Sequence, residues 1–397
     1  GLMNADTFES ATTAAAFGGT TTVISFAAQH VGMNLTKVVE DYHALAKKGA
    51  VVDYAFHMIV RELTDQVAGD MDRMVKDEGI TSFKLFMAYP GVFMLDDASI
   101  FRAMRQAADS GATIMMHAEN GGPIDVLVRQ FVEEGKTEPI NHGLTRPAAM
   151  EGEAVHRAFK LAELAGVPAY IVHLTSRDAL NAVREARDRG VPAYAETCPQ
   201  YLYLSLDDLG RPGFEGAKYV CSPPLREAHN QDLLWAALER GVLESVSTDH
   251  APFNDEQKAL GRGDFSKIPN GLAMIQHRLV KLWDLGVEGG RITPSELVDM
   301  TSTAIARRFG LHRKGSIAPG KDADLVVFDP STPFEFSTRT SHMNVDYDLF
   351  EGESSTGSVR HTLSRGTMVY DRGEILTQPG HGRFVPRSLR APAAVAS

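Results

Sequence analysis

The feature that most constrains this chain is a repeated pattern. Seven short apolar runs recur along it, at residues 20–27 (TTTVISFA), 52–59 (VDYAFHMI), 82–88 (SFKLFMA), 113–119 (TIMMHAE), 169–175 (AYIVHLT), 192–198 (PAYAETC) and 244–250 (ESVSTDH), each followed by a helical pattern. Nearly continuous apolar runs suit parallel strands covered on both faces, because such strands have no solvent face to give to polar residues. Helical stretches at 97–108, 149–165 and 177–189 end close to Gly111, Gly166 and Gly190, where glycines belong at helix C-termini. Strand and helix in alternation predict an α/β fold with a parallel sheet. No Gly-rich phosphate fingerprint follows any strand, which favours a TIM-like (β/α)8 barrel over a doubly wound open sheet.

That barrel needs eight strands, and seven runs are present. The chain opens on a helix-like stretch at 5–17 (ADTFESATTAAAF) that leads through Gly18 and Gly19 into the first run. The first barrel strand is accordingly expected upstream of Gly1. Further helices are predicted at 271–285 and 294–309. From Lys314 the character changes: turn-rich 315–329 (GSIAPGKDADLVVFD) runs into a strand, with more strands at 359–364 and 367–370 and a turn at 371–373. These patterns predict a barrel unit over 1–313 and, over 314–397, part of a small β-sandwich domain with a C-terminal tail. The tail 391–397, small and apolar, is expected to fray.

Apolar residues make up 43% of the 397 and charged residues 23%, enough for a large core in a soluble globular protein. The net charge of −11 argues against nucleic acid or an acidic membrane surface as partner, since both call for basic patches. No apolar run reaches the ~18 residues that would span a bilayer. Residues 1–10 lack the basic start and apolar core of a signal peptide. The two cysteines, Cys198 and Cys221, form no CxxC and read as reduced thiols of a cytoplasmic protein.

Four runs carry a polar residue at or near the C-terminal end of the strand: Lys84, His117, His173 and Asp249. That face is where barrel active sites are built. Singly, each residue has an ordinary explanation: a hydrogen-bonded core histidine, a lysine paired with a carboxylate, an aspartate capping a helix. Jointly they point to a metal site, since neutral imidazole and carboxylate suit zinc, manganese or iron. His57 sits mid-strand and reads as core. His30, His142 and His156, in loops or a helix, read as solvated or structural. His250 can pack behind the site or orient a ligand. Tyr89, just past the Lys84 strand, can aim its hydroxyl at a bound carbonyl or be an ordinary rim tyrosine.

The segments 82–89 (SFKLFMAY), 116–120 (MHAEN), 172–176 (VHLTS), 196–201 (ETCPQY) and 247–252 (STDHAP) resemble the dihydropyrimidinase and bacterial hydantoinase family of the amidohydrolase superfamily. So do 221–226 (CSPPLR), 268–271 (IPNG) and 342–347 (HMNVDY), and the resemblance covers nearly the whole chain. It implies that Lys84 becomes N6-carboxylysine, its carbamate drawn from CO2 or bicarbonate and bridging two divalent metal ions, usually Zn2+. It implies that His117 and His173 bind the second metal, and that Asp249 binds the first and shuttles the proton. Tyr89 matches an oxyanion-stabilising tyrosine. Ser222 and Asn270 match positions whose main-chain groups hold the ring amide.

The His-x-His pair that completes the first metal site in that family is not in this sequence, the same gap that the strand count reaches. The implied reaction is hydrolysis of the cyclic amide of 5,6-dihydropyrimidines or hydantoins to N-carbamoyl amino acids, by a metal-bridging hydroxide with Asp249 moving the proton. Allantoinase, dihydroorotase or cyclic-imide hydrolase activity is the alternative within the superfamily. A non-catalytic scaffold homologue is the alternative of another class, and the presence of Lys84, His117, His173 and Asp249 speaks against it. The implied partners are a small cyclic amide and further copies of the chain in a homotetramer, and the rim loop 90–94 is expected to influence side-chain preference.

Overall fold

The computed structural model describes residues 3–389. Gly1, Leu2 and the tail 391–397, read as frayed, lie outside the described residues.

All seven apolar runs become strands: β1 (Thr22–Ala28), β2 (Asp53–Ile59), β3 (Ser82–Phe86), β4 (Thr113–His117), β5 (Ala169–Ile171), β6 (Ala193–Thr197) and β7 (Ser245–Val246). They are hydrogen-bonded in sequence order and all parallel, in one curled sheet. Among the described residues no strand pairs the outer edges of β1 and β7. Arg278 reaches from one edge to the other, its Nη1 donating to the Val246 carbonyl (3.3 Å) and its Nη2 to the Thr20 hydroxyl (3.2 Å). The ladders of β5 and β7 stop well short of their apolar runs. Just beyond them His173 (φ 42°) and Asp249 (φ 44°) take left-handed backbone, which cannot continue a strand.

Helices follow the strands as the pattern requires. Asp97–Ser110 starts on the Asp96 side chain, which accepts from the Ser99 amide at 2.7 Å, and ends at Gly111 with φ 76°. Arg177–Asp188 buries Ala179, Leu180, Ala182, Val183 and Ala186, a stripe of helical spacing. Phe56, Met58, Phe83 and Phe159 are among the side chains that fill the core.

Two expected helices differ from their patterns. Instead of spanning 271–285, the helix begins at Arg278, runs as α-helix to Lys281 and continues as a π-turn over Leu282–Glu288. The residues before it are used elsewhere: Leu272 bridges His250, and its carbonyl accepts from the Ala251 amide at 3.0 Å. The 294–309 helix contains a π-turn, Asp299–Thr303, between Pro294–Val298 and Ala304–Arg308. There the Thr301 hydroxyl donates to the Leu297 carbonyl (2.6 Å), competing with the main-chain ladder.

Beyond the barrel, β8 (Leu325–Asp329), β11 (Ser358–Ser364), β12 (Thr367–Asp371) and β13 (Glu374–Ile375) form a four-stranded antiparallel sheet, beside a ribbon of β9 (Phe334–Glu335) and β10 (Ser354–Ser355). This is the part of the expected β-sandwich that the described residues hold. Buried Lys314 ties it to the barrel through the carboxylates of Asp53 (2.6 Å), Asp322 (3.1 Å) and Asp324 (2.7 Å). The chain then returns to β2, where the Tyr54 amide donates to the Arg383 carbonyl (3.0 Å) and the Val385 amide to the Tyr54 carbonyl (2.8 Å). Among the described residues no helix is long and apolar enough to cross a membrane.

Candidate active site

The curl of the sheet gathers its polar strand ends. His117 closes β4 and His173 lies two residues past β5, and their Nδ1 and Nε2 atoms are 3.0 Å apart. The other His117 nitrogen, Nε2, meets Glu119 Oε2 at 2.8 Å. Burial pushes the Glu119 carboxyl pKa up, but His117, Arg146 and Arg226 outweigh it and hold the group below the ordinary carboxylate value. Glu119 was not among the candidates. Its signal is its place two residues past His117, the spacing that returns a strand side chain to the same face.

Lys84 lies in β3, in register with Ile59 of β2 and Met115 of β4. Its Nζ sits over the rings of Phe26 (4.3 Å) and Phe86 (4.8 Å) and makes no hydrogen bond among the described residues. Burial lowers its pKa, opposed by Asp249, Glu196 and Cys198. Burial also pulls His173 well below the usual imidazole value, with His117 and Lys84 acting in the same direction, so its ring is neutral, the form that ligates metal. Asp249 is half-buried.

A second group faces the same end. Tyr89, with φ 65°, accepts from the Asn270 side-chain amide at 3.4 Å and is hydrogen-bonded to the Ser222 hydroxyl. Burial, reinforced by Glu119, pushes its phenol up to about 12, so the hydroxyl keeps its proton at neutral pH. Its ring centre is 5.4 Å from that of His117, which joins the two groups into one site. Tyr89, His173 and Asp249 are three of the six non-glycine residues with positive φ among the described residues. Such backbone costs on the order of 1–3 kcal/mol per residue and persists where surrounding structure holds it.

The remaining histidines sort by environment. His57 is buried and bonded to the Ser82 hydroxyl at 2.5 Å, a core residue. His142 is buried behind Ser222, its Nε2 2.8 Å from the Cys221 carbonyl and 3.2 Å from the Ser222 hydroxyl. His30 and His156 are exposed. His250 packs directly behind Asp249: its Nδ1 accepts from the Met274 amide (3.1 Å), which leaves Nε2 to donate to Asp6 (2.7 Å). Cys198 and Cys221 are buried free thiols.

The donor set fits a cation. Among the described residues no three His, Cys, Asp or Glu side chains form a metal-holding group by themselves. What the fold assembles is a pair of imidazoles with the unpartnered Lys84 amine and Asp249. Zinc–nitrogen distances of about 2.0–2.1 Å in a tetrahedron place two ligand nitrogens about 3.3 Å apart, close to the observed separation.

Comparison with known proteins finds relatives over nearly the whole chain. The amidohydrolase family model matches residues 3–369. A D-hydantoinase of Streptomyces coelicolor is 50% identical over 390 residues, covering 98% of this chain and 83% of that protein. A D-hydantoinase of Geobacillus stearothermophilus is 48% identical over the same shares. The crystal structure of dihydropyrimidinase from Brevibacillus agri superposes with a TM-score of 0.97 at 46% identity, over 98% of this chain and 85% of that one. Polar strand ends gathered on one barrel face, and likeness over nearly the whole length, lead to the same conclusion: this chain belongs to the amidohydrolase family.

Proposed function

We propose that this chain hydrolyses the cyclic amide bond of hydantoins and 5,6-dihydropyrimidines, giving N-carbamoyl amino acids. The observation that carries the reading is Lys84, a buried amine without a hydrogen-bond partner at the strand edge that also bears His117, His173 and Asp249. The D-hydantoinase and dihydropyrimidinase relatives supply the substrate class.

Amidohydrolases generally bind divalent metal ions. The residues of this chain that would hold two of them, most simply Zn2+, are Lys84 as N6-carboxylysine, His117, His173 and Asp249. Bound there, the ions would lower the pKa of a water toward neutrality and polarise the ring carbonyl. The chain's own groups do the rest. Main-chain groups of Ser222 and Asn270 hold the ring amide, and the Tyr89 hydroxyl donates to the carbonyl oxygen as negative charge develops on it. The Asp249 carboxylate takes the proton of the attacking water and returns it to the departing ring nitrogen. One C–O bond forms, the ring C–N bond breaks, and the product carries a carboxylate and a carbamoyl group.

Rates on hydantoin, dihydrouracil, allantoin, dihydroorotate and succinimide test the assignment in full-length protein. The first two are expected to turn over fastest; faster turnover of any of the others overturns the substrate class. Absence of transition metal from the active protein overturns the metal reading. The same reading has the protein act as a cytoplasmic homotetramer, which light scattering of the purified protein checks for oligomeric state.

A further inference from the structure

Lys258 ends the short helix Asp255–Lys258 and is fully buried. Among the described residues it has no carboxylate partner. Its Nζ donates instead to three main-chain carbonyls: Val220 (2.9 Å), Pro269 (2.8 Å) and Gly271 (2.9 Å). Three acceptors match the three N–H bonds of an ammonium. Burial nevertheless pulls the pKa down to about 7, because a buried cation without a counter-charge is costly. An apolar side chain of similar volume would remove the cation but leave the carbonyls of Pro269 and Gly271 without this donor, so the lysine is bound up with where these main-chain groups lie.

The three carbonyls belong to the two segments that bear Ser222 and Asn270. The Gly271 amide also donates to the Val220 carbonyl at 3.0 Å, so that single oxygen joins both segments and Lys258. On its other side Gly271 packs against Ala251, whose carbonyl a Cβ at this position would strike. Asn270 lies between two of the three acceptors. The Asn270 side chain, meanwhile, reaches the Tyr89 hydroxyl.

We propose that Lys258 is a positioning residue for substrate: its three hydrogen bonds set the spacing of segments 220–222 and 269–271, so that the main-chain groups of Ser222 and Asn270 meet the ring amide together. This rests on the cyclic-amide reading above and names the residue that builds its clamp.

Lys258→Met, close in volume and without a donor, tests it in full-length, metal-loaded protein. KM for hydantoin is expected to rise about tenfold or more while kcat falls less than about threefold, the pattern of lost uniform binding. Metal content and circular dichroism stay unchanged. A merely structural lysine would lower the melting temperature and leave KM alone, so an unchanged KM in the folded variant overturns the proposal. If Lys258→Met does not fold, Lys258→Arg keeps a buried cation with altered donor geometry, and the same split between KM and kcat decides. Hydrogen exchange of the Gly271 amide needs no substrate. Its protection is expected to fall relative to the Met116 amide of β4. If the wild-type protein hydrolyses none of these rings yet Gly271 protection falls in the variant, the substrate reading fails while the tie stands. Unchanged protection shows that Lys258 does not hold the segments.

Discussion

Two buried lysines stand at opposite ends of β2 and meet opposite surroundings. Lys314 meets the first residue of that strand, Asp53, and completes its ion cluster with Asp322 and Asp324. Arg365 pairs with Asp53 and Arg313 with Asp322, so three carboxylates face three cations. Lys84 lies in register with the last residue, Ile59, and its amine sits over aromatic faces without a hydrogen bond, with Asp249 and Glu196 acting on it only through space. Around Lys314 the chain supplies every partner, as expected at the face of a barrel that serves stability. Around Lys84 the cost exceeds the compensation: a desolvated amine that Asp249 and Glu196 offset only in part, and left-handed backbone at Tyr89, His173 and Asp249. Lys314, a buried cation with its counter-charges in place, belongs to the architecture. Lys84, left without them, is where the proposed function brings in chemistry from outside the chain.

Substitutions at the two ends should separate activity from stability. Lys84→Ala is expected to lower kcat/KM for hydantoin on the order of 10³-fold or more, the scale of losing activation of the nucleophile. In the metal-free protein its denaturation midpoint should hold or rise, because a desolvated amine without a hydrogen-bond partner is removed. Activity close to wild type in Lys84→Ala would erase the contrast. Asp249→Asn, which keeps the shape and removes the base, should cost about 10²–10⁴-fold in kcat. Tyr89→Phe should cost about 10²–10³-fold in kcat with little change in KM, as for removal of one oxyanion donor. Lys314→Met should show the reverse profile: about 3–5 kcal/mol lost in urea unfolding, because buried carboxylates are left without their central cation, and kcat/KM little altered.

The smallest effect lies in the pH dependence of the Lys314 cluster. Burial raises the Asp322 pKa, but hydrogen bonds and charge from Arg313 and Lys314 outweigh it and hold the folded value below 3.8. A carboxyl whose folded pKa is depressed stabilises the fold above its unfolded pKa and loses that contribution as the pH falls through the folded value. Unfolding measured across the acid range should show this loss below pH 3.8, and Lys314→Met should flatten it.

Much of this arrangement is legible in the sequence, and the exceptions have physical reasons. The succession of strands follows from apolar runs that a buried parallel strand requires, and all seven appear in order. Strand lengths do not follow. The run at 244–250 shrinks to Ser245–Val246, because Asp249 turns out of the ladder with φ 44°. The helix expected over 271–285 loses its first turns because Leu272 pairs with His250 instead. The return of segment 383–385 to Tyr54 of β2 leaves no periodic trace.

By itself the sequence determined the alternation of strand and helix, the polar residues at strand ends, and the family those residues resemble. All of these are local, set by spacing and side-chain chemistry within a short window. The tertiary structure decided which polar groups meet: His117 with His173, Tyr89 with Asn270, Lys258 with carbonyls from two other segments, and Lys314 with Asp53. Lys258 and Lys314 sit among ordinary polar neighbours in the sequence and give no local sign of burial. Whether a buried charge is satisfied depends on acceptors brought from distant parts of the chain, and no local window contains them.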